Sequence, residues 1–584
     1  MTQEPDPISS HQVVPHALAT ELKVRHPLME DVKQTVVMER QVLPSEPQEG
    51  NIEYKLKLID PSAERLVHLT TQMKWRLAEG GGEAIYQIGV GDDGSLHGLS
   101  VADLEASLET LATIAHGVGA TFTLLRRSPS LDGHGVIAEV HVRKATEDQQ
   151  FVDVRVFVLG DSGSGKSTVI ACLASGKADN GRGSARLDLF RHSHEVVTGR
   201  TASTSTEMLA FDGQGNVLNY DKDLNPQPVA DICSQASKVV HLIDSPGLEK
   251  YEKTTLSGLA RHGPDHICIV VSATRGMTSQ TKRHMDMALA LNIPVFVVIT
   301  KIDKCRKDQL KHALVDVCIA VKSPGSNKVP QPVKNVDDLL TARDQGISVV
   351  PIFFVSNVTG KNLNLLSQFM NLLPCVNSIR LETKSHLPAK MLVEDTFNVS
   401  GVGAVVAGMV RQGLVRTNDR LMLGPQADGS FAPVTVTSIH RNRAPVSCVK
   451  AGQVASVAVS GARIRRGQIL CEEELIPPTC QQFDADLLVI DCPAKQTLTT
   501  GFPCSVFVQN VRQSGVIEHL GVDDDGAVVC ATVRFEHQPE VVEVGSRVVL
   551  HSGYFKAIGS VTSTTPPTAE RTAADATAAS SQHM

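Results

Sequence analysis

Gly160-Asp161-Ser162-Gly163-Ser164-Gly165-Lys166-Ser167, running on into Thr168, fits the pattern G-x-x-x-x-G-K-[ST]. The apolar run Val154-Arg-Val-Phe-Val-Leu159 before it predicts a buried strand, and Ser167-Thr-Val-Ile-Ala-Cys-Leu173 after it predicts a helix. A glycine-rich turn between strand and helix lets successive backbone N–H groups face inward around α- and β-phosphates, and the helix dipole adds to the attraction. Lys166 then reaches the β/γ oxygens, and Ser167 offers its hydroxyl to Mg²⁺. A chance Gly/Ser turn would not carry both flanks. The stretch predicts a phosphate cradle within an α/β domain.

Three further segments bear on which nucleotide lies in that cradle. Val239-Val-His-Leu-Ile243 reads as a strand ending in Asp244-Ser-Pro-Gly247, a D-x-x-G box. There Asp244 is expected to hold Mg²⁺ through water and the Gly247 N–H to meet a γ-phosphate. Pro294-Val-Phe-Val-Val-Ile299 delivers Thr300-Lys301-Ile302-Asp303, a T-K-x-D variant of the N-K-x-D guanine box. The Asp303 carboxylate can accept from guanine N1–H and the 2-amino group together, a pair that adenine does not present, while the Lys301 stem covers the ring. Val349-Val-Pro-Ile-Phe-Phe-Val355 leads to Ser356-Asn357-Val358, placed like an S-A-x box whose backbone touches the guanine oxygen. Any one of these is an ordinary turn after a strand. All of them in this order, each at a strand's C-terminal end where open α/β sheets bind ligands, predict a GTP/GDP-binding domain.

The chain has 584 residues, which implies several domains each able to bury its own core. It is 42% hydrophobic and 20% charged, an ordinary composition for a soluble protein. The net charge of −7 argues against indiscriminate nucleic-acid binding, and no DNA partner is expected, although a local basic patch on the protein that docks to RNA is compatible with it. Met1-Thr-Gln-Glu-Pro-Asp-Pro7 is acidic, unlike a secretory signal or an Arg-rich transit peptide, and the apolar runs are strand-length. A cytoplasmic protein with no membrane partner is the expectation. The twelve cysteines include no Cys-x-x-Cys pair, and Cys172, Cys268 and Cys318 fall inside apolar runs, so reduced core thiols are expected.

Composition divides the chain. Residues 1–48 are rich in Pro, Glu and Gln, and 563–584 in Thr, Ala and Ser, and both read as tails. Residues 49–148 read as an α+β domain with helices over Ala63–Glu79 and Val101–Ile114 and a strand over Glu83–Val90. Residues 151–376 alternate strands and helices as a mostly parallel sheet requires. Beyond His386 short strands punctuated by Gly, Asn and Asp predict two antiparallel β-barrels, 386–475 and 478–562, divided near Pro477-Pro478.

A P-loop domain followed by two barrels resembles translational GTPases of the elongation factor Tu and elongation factor 1-alpha type. Within them the chain is most similar to the GTP-binding protein 1/2 family. That likeness is carried by Glu53-Tyr-Lys-Leu-Lys-Leu-Ile-Asp60, Gln72-Met-Lys-Trp-Arg76, Asp179-Asn-Gly-Arg-Gly183, Leu189-Phe-Arg-His192, Gly199-Arg-Thr201, Leu289-Ala-Leu-Asn292, Asp395-Thr-Phe-Asn-Val-Ser-Gly-Val-Gly403 and Ser438-Ile-His-Arg441. The resemblance implies a GTPase that engages aminoacyl-tRNA and the ribosome, with mRNA-decay machinery as a further partner. It also implies that Thr201 is the switch threonine that joins Ser167 and Asp244 around Mg²⁺ when a γ-phosphate is present, although Ala202-Ser-Thr-Ser-Thr206 offers other hydroxyls. Lys166, Thr201 and Gly247 are then the expected catalytic contacts.

Two positions depart from the family. The usual D-x-x-G-H reads Asp244-Ser-Pro-Gly-Leu248, and a leucine can neither orient nor deprotonate water. Gly163 stands where the family's loop carries an Asp associated with a structural monovalent cation. Two readings follow: a GTPase whose turnover is slow or partner-dependent, and a nucleotide-gated RNA-binding or mRNA-decay adaptor with little hydrolysis. His262, His266 and His284 follow Leu248 and read first as core or surface histidines. Trp75 is expected to pack in a core or between domains, and His440-Arg-Asn-Arg443 with Arg463-Ile-Arg-Arg466 are the basic turns available to RNA phosphates.

Overall fold

The computed structural model describes residues 43–130, 133–144, 151–323, 326–376, 384–491, 500–522, 528–553 and 555–566. The expected tails lie outside them over 1–42 and 567–584, whereas Ser563, Thr564 and Thr565, read as tail, pair with Asp484, Phe483 and Gln482 in the last barrel strand. Residues 43–48, read as part of the first tail, run against the leading domain instead: Leu43 N–H donates to Gly94 O at 3.0 Å, and Glu46 accepts from Arg76 Nη2 at 2.8 Å.

The leading domain is a four-stranded sheet in the order Ile52–Lys55, Glu83–Ile88, Val136–Lys144, Ala120–Pro129. The first pair is parallel and the others antiparallel. Helices Ala63–Glu79 and Val101–Gly117 start at Ser62 and Ser100, whose hydroxyls accept from the N–H groups of Arg65 and Asp103. Leu69, Met73 and Leu77 recur every four residues and face the sheet. Trp75 lies off that stripe and is 41% exposed under the Arg76 guanidinium, so the packing expected for it, in a core or between domains, is not found. Helical spacing explains this: two residues from Met73 is more than half a turn around the helix.

The central domain carries a seven-stranded sheet in the order Val329–Pro332, Val349–Phe354, Val295–Thr300, His266–Ser272, Val152–Leu159, Lys238–Asp244, Ser205–Phe211. All pairs are parallel except the last. The interior strands are continuous Val/Ile/Leu/Phe runs because helices cover both faces. Two six-strand antiparallel barrels follow. The first closes through Arg420–Gly424 pairing with both Ile469–Cys471 and Ala432–Arg441, and the second through Gln482–Asp491 pairing with Phe555–Thr565.

Buried charges join the domains. Lys238, fully buried at the start of its central-domain strand, donates to Glu83 Oε2 at 2.9 Å and to Leu373 O at 2.6 Å. Arg143 donates to Glu83 Oε1, to Asp212 O and to Asn371. Burial alone would raise the Glu83 carboxyl, but Lys238, Arg143 and His141 hold it down at about 2. Behind the phosphate loop, Arg441 of the first barrel pairs with Asp153 and lies 4.0 Å over the Phe151 ring. That arginine, expected among the RNA-facing turns, is an interdomain brace. Arg465 likewise pairs with Glu540 of the second barrel at 3.0 Å.

Glu83→Ala leaves Lys238 and Arg143 buried without their carboxylate. It should destabilise the chain by about 3–5 kcal/mol, read as a lower urea midpoint, and adding Lys238→Met should recover part of the loss. Because the Glu83 pKa is depressed from 4.5 to about 2, its contribution is complete above 4.5 and is lost as pH falls toward about 2.

Candidate functional site

The P-loop strand ends at Leu159, and the chain turns back at once because Gly160 has φ +141° and a Cβ there would lie 2.4 Å from Val270 O. Gly163 and Gly165 are also left-handed, at φ +72° and +105°, a backbone conformation that glycine adopts without strain. Ser164 N–H donates to Asp161 O at 3.2 Å, and Gly165 caps the helix Lys166–Ser175. Lys166 Nζ folds back inside the loop, 3.0 Å from Gly160 O and 3.1 Å from Asp161 O. Ser162 N–H donates to Gly247 O at 3.1 Å, which brings the D-x-x-G turn onto the loop.

Three segments meet beside Lys166. Ser167 Oγ donates to Asp244 Oδ2 at 2.5 Å, Thr201 Oγ1 lies 2.9 Å from Ser167 Oγ, and Thr201 Oγ1 donates to Asp244 Oδ2 at 3.3 Å. Thr168 is buried behind them. Burial pushes the Asp244 carboxyl up, against Lys166, Ser167 and Thr201, and burial lowers Lys166 against the pull of Asp244 and Asp161. An oxygen-only set of two hydroxyls and a carboxylate fits a hard divalent cation such as Mg²⁺, which would meet the phosphates here and neutralise their charge. Glu195, 1% exposed, fastens the Thr201 segment by accepting from the N–H groups of Ala202 at 2.6 Å and Ser203 at 2.9 Å.

The base side is assembled from the neighbouring strand ends. Thr300 Oγ1 donates to Ser164 O at 2.5 Å, tying the T-K-x-D box to the loop, and Lys301, itself at φ +60°, donates to Gly163 O at 2.6 Å. Ser356 Oγ donates to Asp303 Oδ1 at 2.6 Å and so aims that exposed carboxylate. Asn357 O accepts from Asp179 N–H at 2.8 Å, Asp179 in turn accepts from the N–H groups of Gly181, Gly183 and Ala185, and Val358 lines the exposed edge. Two buried polar atoms here, Ser164 Oγ and Asn357 Oδ1, have no partner among the described residues and suit a polar ligand.

A model of the elongation factor Tu GTP binding domain matches residues 153–375, and one of elongation factor Tu domain 2 matches residues 403–471. The chain is 42% identical over 533 residues to human GTP-binding protein 2, covering 89% of this chain and 88% of that one. To GTP-binding protein 1 of Xenopus laevis it is 40% identical over 518 residues, 87% of this chain and 78% of the relative. The chain belongs to the GTP-binding protein 1/2 family of translational GTPases. Its fold is shared by the solved GTPase-like domain of S. cerevisiae Ski7 bound to GTP, with a TM-score of 0.52, 13% identity, and 70% and 97% of the two chains covered. The bacterial selenocysteine-specific elongation factor EF-Sec superposes with a TM-score of 0.50 at 20% identity, covering 70% of this chain and 58% of its own.

Leu248, next after the D-x-x-G turn, is half-buried, and its side chain can neither orient nor deprotonate a water. Of the histidines that follow, His266 meets Pro374 O at 2.8 Å at the far end of its strand, and His262 faces Glu394 at 3.6 Å in a cleft of about 450 Å³ between the central domain and the barrels. His284 is close enough to Lys166 for their charges to interact, and burial lowers it to about 3, so it is neutral at physiological pH. The described cysteines are free thiols, mostly buried, with Cys448 and Cys530 exposed. Sequence reasoning missed Glu195. Glu195 lies outside every box, and its capping position at the head of Ser193–Thr198 was the one available signal.

Asp303→Ala removes both acceptors for the guanine edge. GTP affinity relative to ATP should fall by roughly 10²-fold or more, since each charge-assisted hydrogen bond contributes about 1.5–3 kcal/mol. Competition binding with both nucleotides reads this directly, and an unchanged preference would contradict the base assignment.

Proposed function

We propose that the chain is a GTP-gated translation factor of the cytoplasm that couples nucleotide state to aminoacyl-tRNA and ribosome engagement, with Mg²⁺ held by Ser167, Thr201 and Asp244. The observation that carries this reading is the meeting of those three side chains, one each from the loop helix, the polar segment and the D-x-x-G strand. Such a meeting makes the Thr201 segment sensitive to whether a γ-phosphate is present. Lys166 and the Gly247 N–H are the groups available to that phosphate.

A path from nucleotide to barrels supports the gating. The D-x-x-G turn leads directly into the helix Glu252–His262, which packs on the strands Phe502–Val508 and Arg547–Ser552 of the second barrel. Phe507 and Val549 of that barrel share an apolar cluster with Leu256 and Leu259 of the helix. Glu252 at its head pairs with Lys556 at 2.8 Å, and against the penalty of burial His551 and Lys556 hold its carboxyl at about 2. Movement of Gly247 is therefore delivered to a barrel as movement of a packed helix. Exposed His440, Arg443 and Arg463 remain for RNA phosphates, while Arg441 and Arg465 are committed to interdomain pairs.

Leu248 favours a second reading, a nucleotide-gated binding module with little intrinsic hydrolysis, recruited to RNA turnover. Leu248→His separates the two. It should raise GTP turnover by at least about tenfold, because a positioned acid–base group is typically worth roughly 10²–10⁴ in rate. Wild-type turnover with ribosomes as fast as that of a histidine-containing relative would contradict the assignment of reduced hydrolysis to this position.

A further inference from the structure

The turn Ser272-Ala-Thr-Arg-Gly276 follows the strand that pairs beside the phosphate-loop strand. It closes on itself, with Arg275 N–H and Gly276 N–H both donating to Ser272 O, at 3.1 and 2.9 Å. The closure sends the Arg275 side chain back across the loop. Its Nη2 donates to Ser162 O at 2.5 Å, and its Nη1 lies 3.2 Å from Asp161 Oδ2. A Cβ placed on Gly163 would lie 3.6 Å from Nη2, so the glycine leaves the guanidinium in contact with bare backbone. With Lys166 inside the loop and Lys301 on the Gly163 carbonyl, three cations bracket the phosphate-binding turn from different elements.

We propose that Arg275 is a catalytic residue of this GTPase, an arginine supplied by the chain itself to the phosphate edge of the bound nucleotide. The inference rests on the guanine-nucleotide reading of the site and adds to it the group that compensates for Leu248. In hydrolysis the oxygen of water forms a bond to the γ-phosphorus, and the bond from that phosphorus to the β–γ bridging oxygen breaks. GDP leaves with that electron pair, one proton of the water stays on inorganic phosphate, and the other goes to solvent. Negative charge grows on the bridging and γ oxygens, and a cation there lowers the barrier without positioning water. A guanidinium has five N–H donors in a planar fork, so its hold on Ser162 O and Asp161 leaves donors for phosphate oxygens. The side chain is 43% exposed, so its fork can leave Ser162 O and Asp161 for a phosphate oxygen without disrupting buried packing.

The test compares the full chain with Arg275→Ala and Arg275→Lys, using single-turnover GTP hydrolysis with Mg²⁺ and, separately, the affinity of a fluorescent GTP analogue. Arg275→Ala should lower the rate by at least about tenfold, within the range that arginines contribute in such enzymes. Affinity should stay within about threefold, Arg275→Lys should be intermediate, and guanidinium ion below denaturing concentration should speed the alanine variant alone. A wild-type rate in Arg275→Ala with intact affinity overturns the proposal, as does lost affinity with unchanged turnover of bound GTP, which would make Arg275 a binding clamp. A wild-type chain that binds GTP without turnover overturns it too. Failure of the wild-type chain to bind guanine nucleotide is instead the failure of the underlying site reading.

Discussion

The buried carboxylate of Asp244 is the point on which the site depends. It stands at the C-terminal end of a parallel strand paired to the phosphate-loop strand, Val158 opposite Asp244. That register sets Asp244 against Ser167 at the head of the next helix. The antiparallel edge strand completes the arrangement: Ser205 lies opposite Asp244, and the segment before it turns back so that Thr201 Oγ1 meets Asp244 Oδ2 at 3.3 Å. A slip of one residue in either pairing would turn the side chains to the other face of the sheet. Burial of the carboxylate beside Lys166 leaves two opposed charges in a dry place, which phosphates and a divalent cation are suited to balance.

The same sheet explains why the base and phosphate sides lie together. Ser272 is opposite Thr300, and Phe354 opposite Ile299, so successive parallel strands deliver their loops to one edge. Behind that edge, the domains are held by charges placed where no water can replace them. Glu83 with Lys238 and Arg143 fixes the leading domain, Asp153 with Arg441 the first barrel, and Glu252 with Lys556 the second. The helix Glu252–His262, which follows the D-x-x-G turn, meets both barrels, the second through Glu252 with Lys556 and the first through Arg261 with Asp395.

Much of this was legible because each box states its chemistry locally. The glycines of 160–165 announce a left-handed loop, and the apolar runs before Asp244, Thr300 and Ser356 announce strands that end there. What was not legible depends on contacts distant in sequence. Arg441 sits in a run that looks like a basic surface turn, and nothing near it in sequence points to Asp153, far away in the chain. Arg275 likewise looks like a turn residue until the turn is seen folded over Ser162. Trp75 misled through composition, since a lone tryptophan on an apolar-patterned helix invites burial, yet its position relative to Met73 faces it outward.

Coupling among Ser167, Thr201 and Asp244 is what ties nucleotide state to the rest of the protein. Titration calorimetry of GTP, GDP and ATP, each in Mg²⁺ and in EDTA, tests it most directly. Tight binding of guanine nucleotides, weak binding of ATP, and an advantage for GTP that exists only with Mg²⁺ and disappears in Thr201→Ala are predicted. ATP bound as well as GTP, or a GTP affinity indifferent to both Mg²⁺ and Thr201, would contradict it.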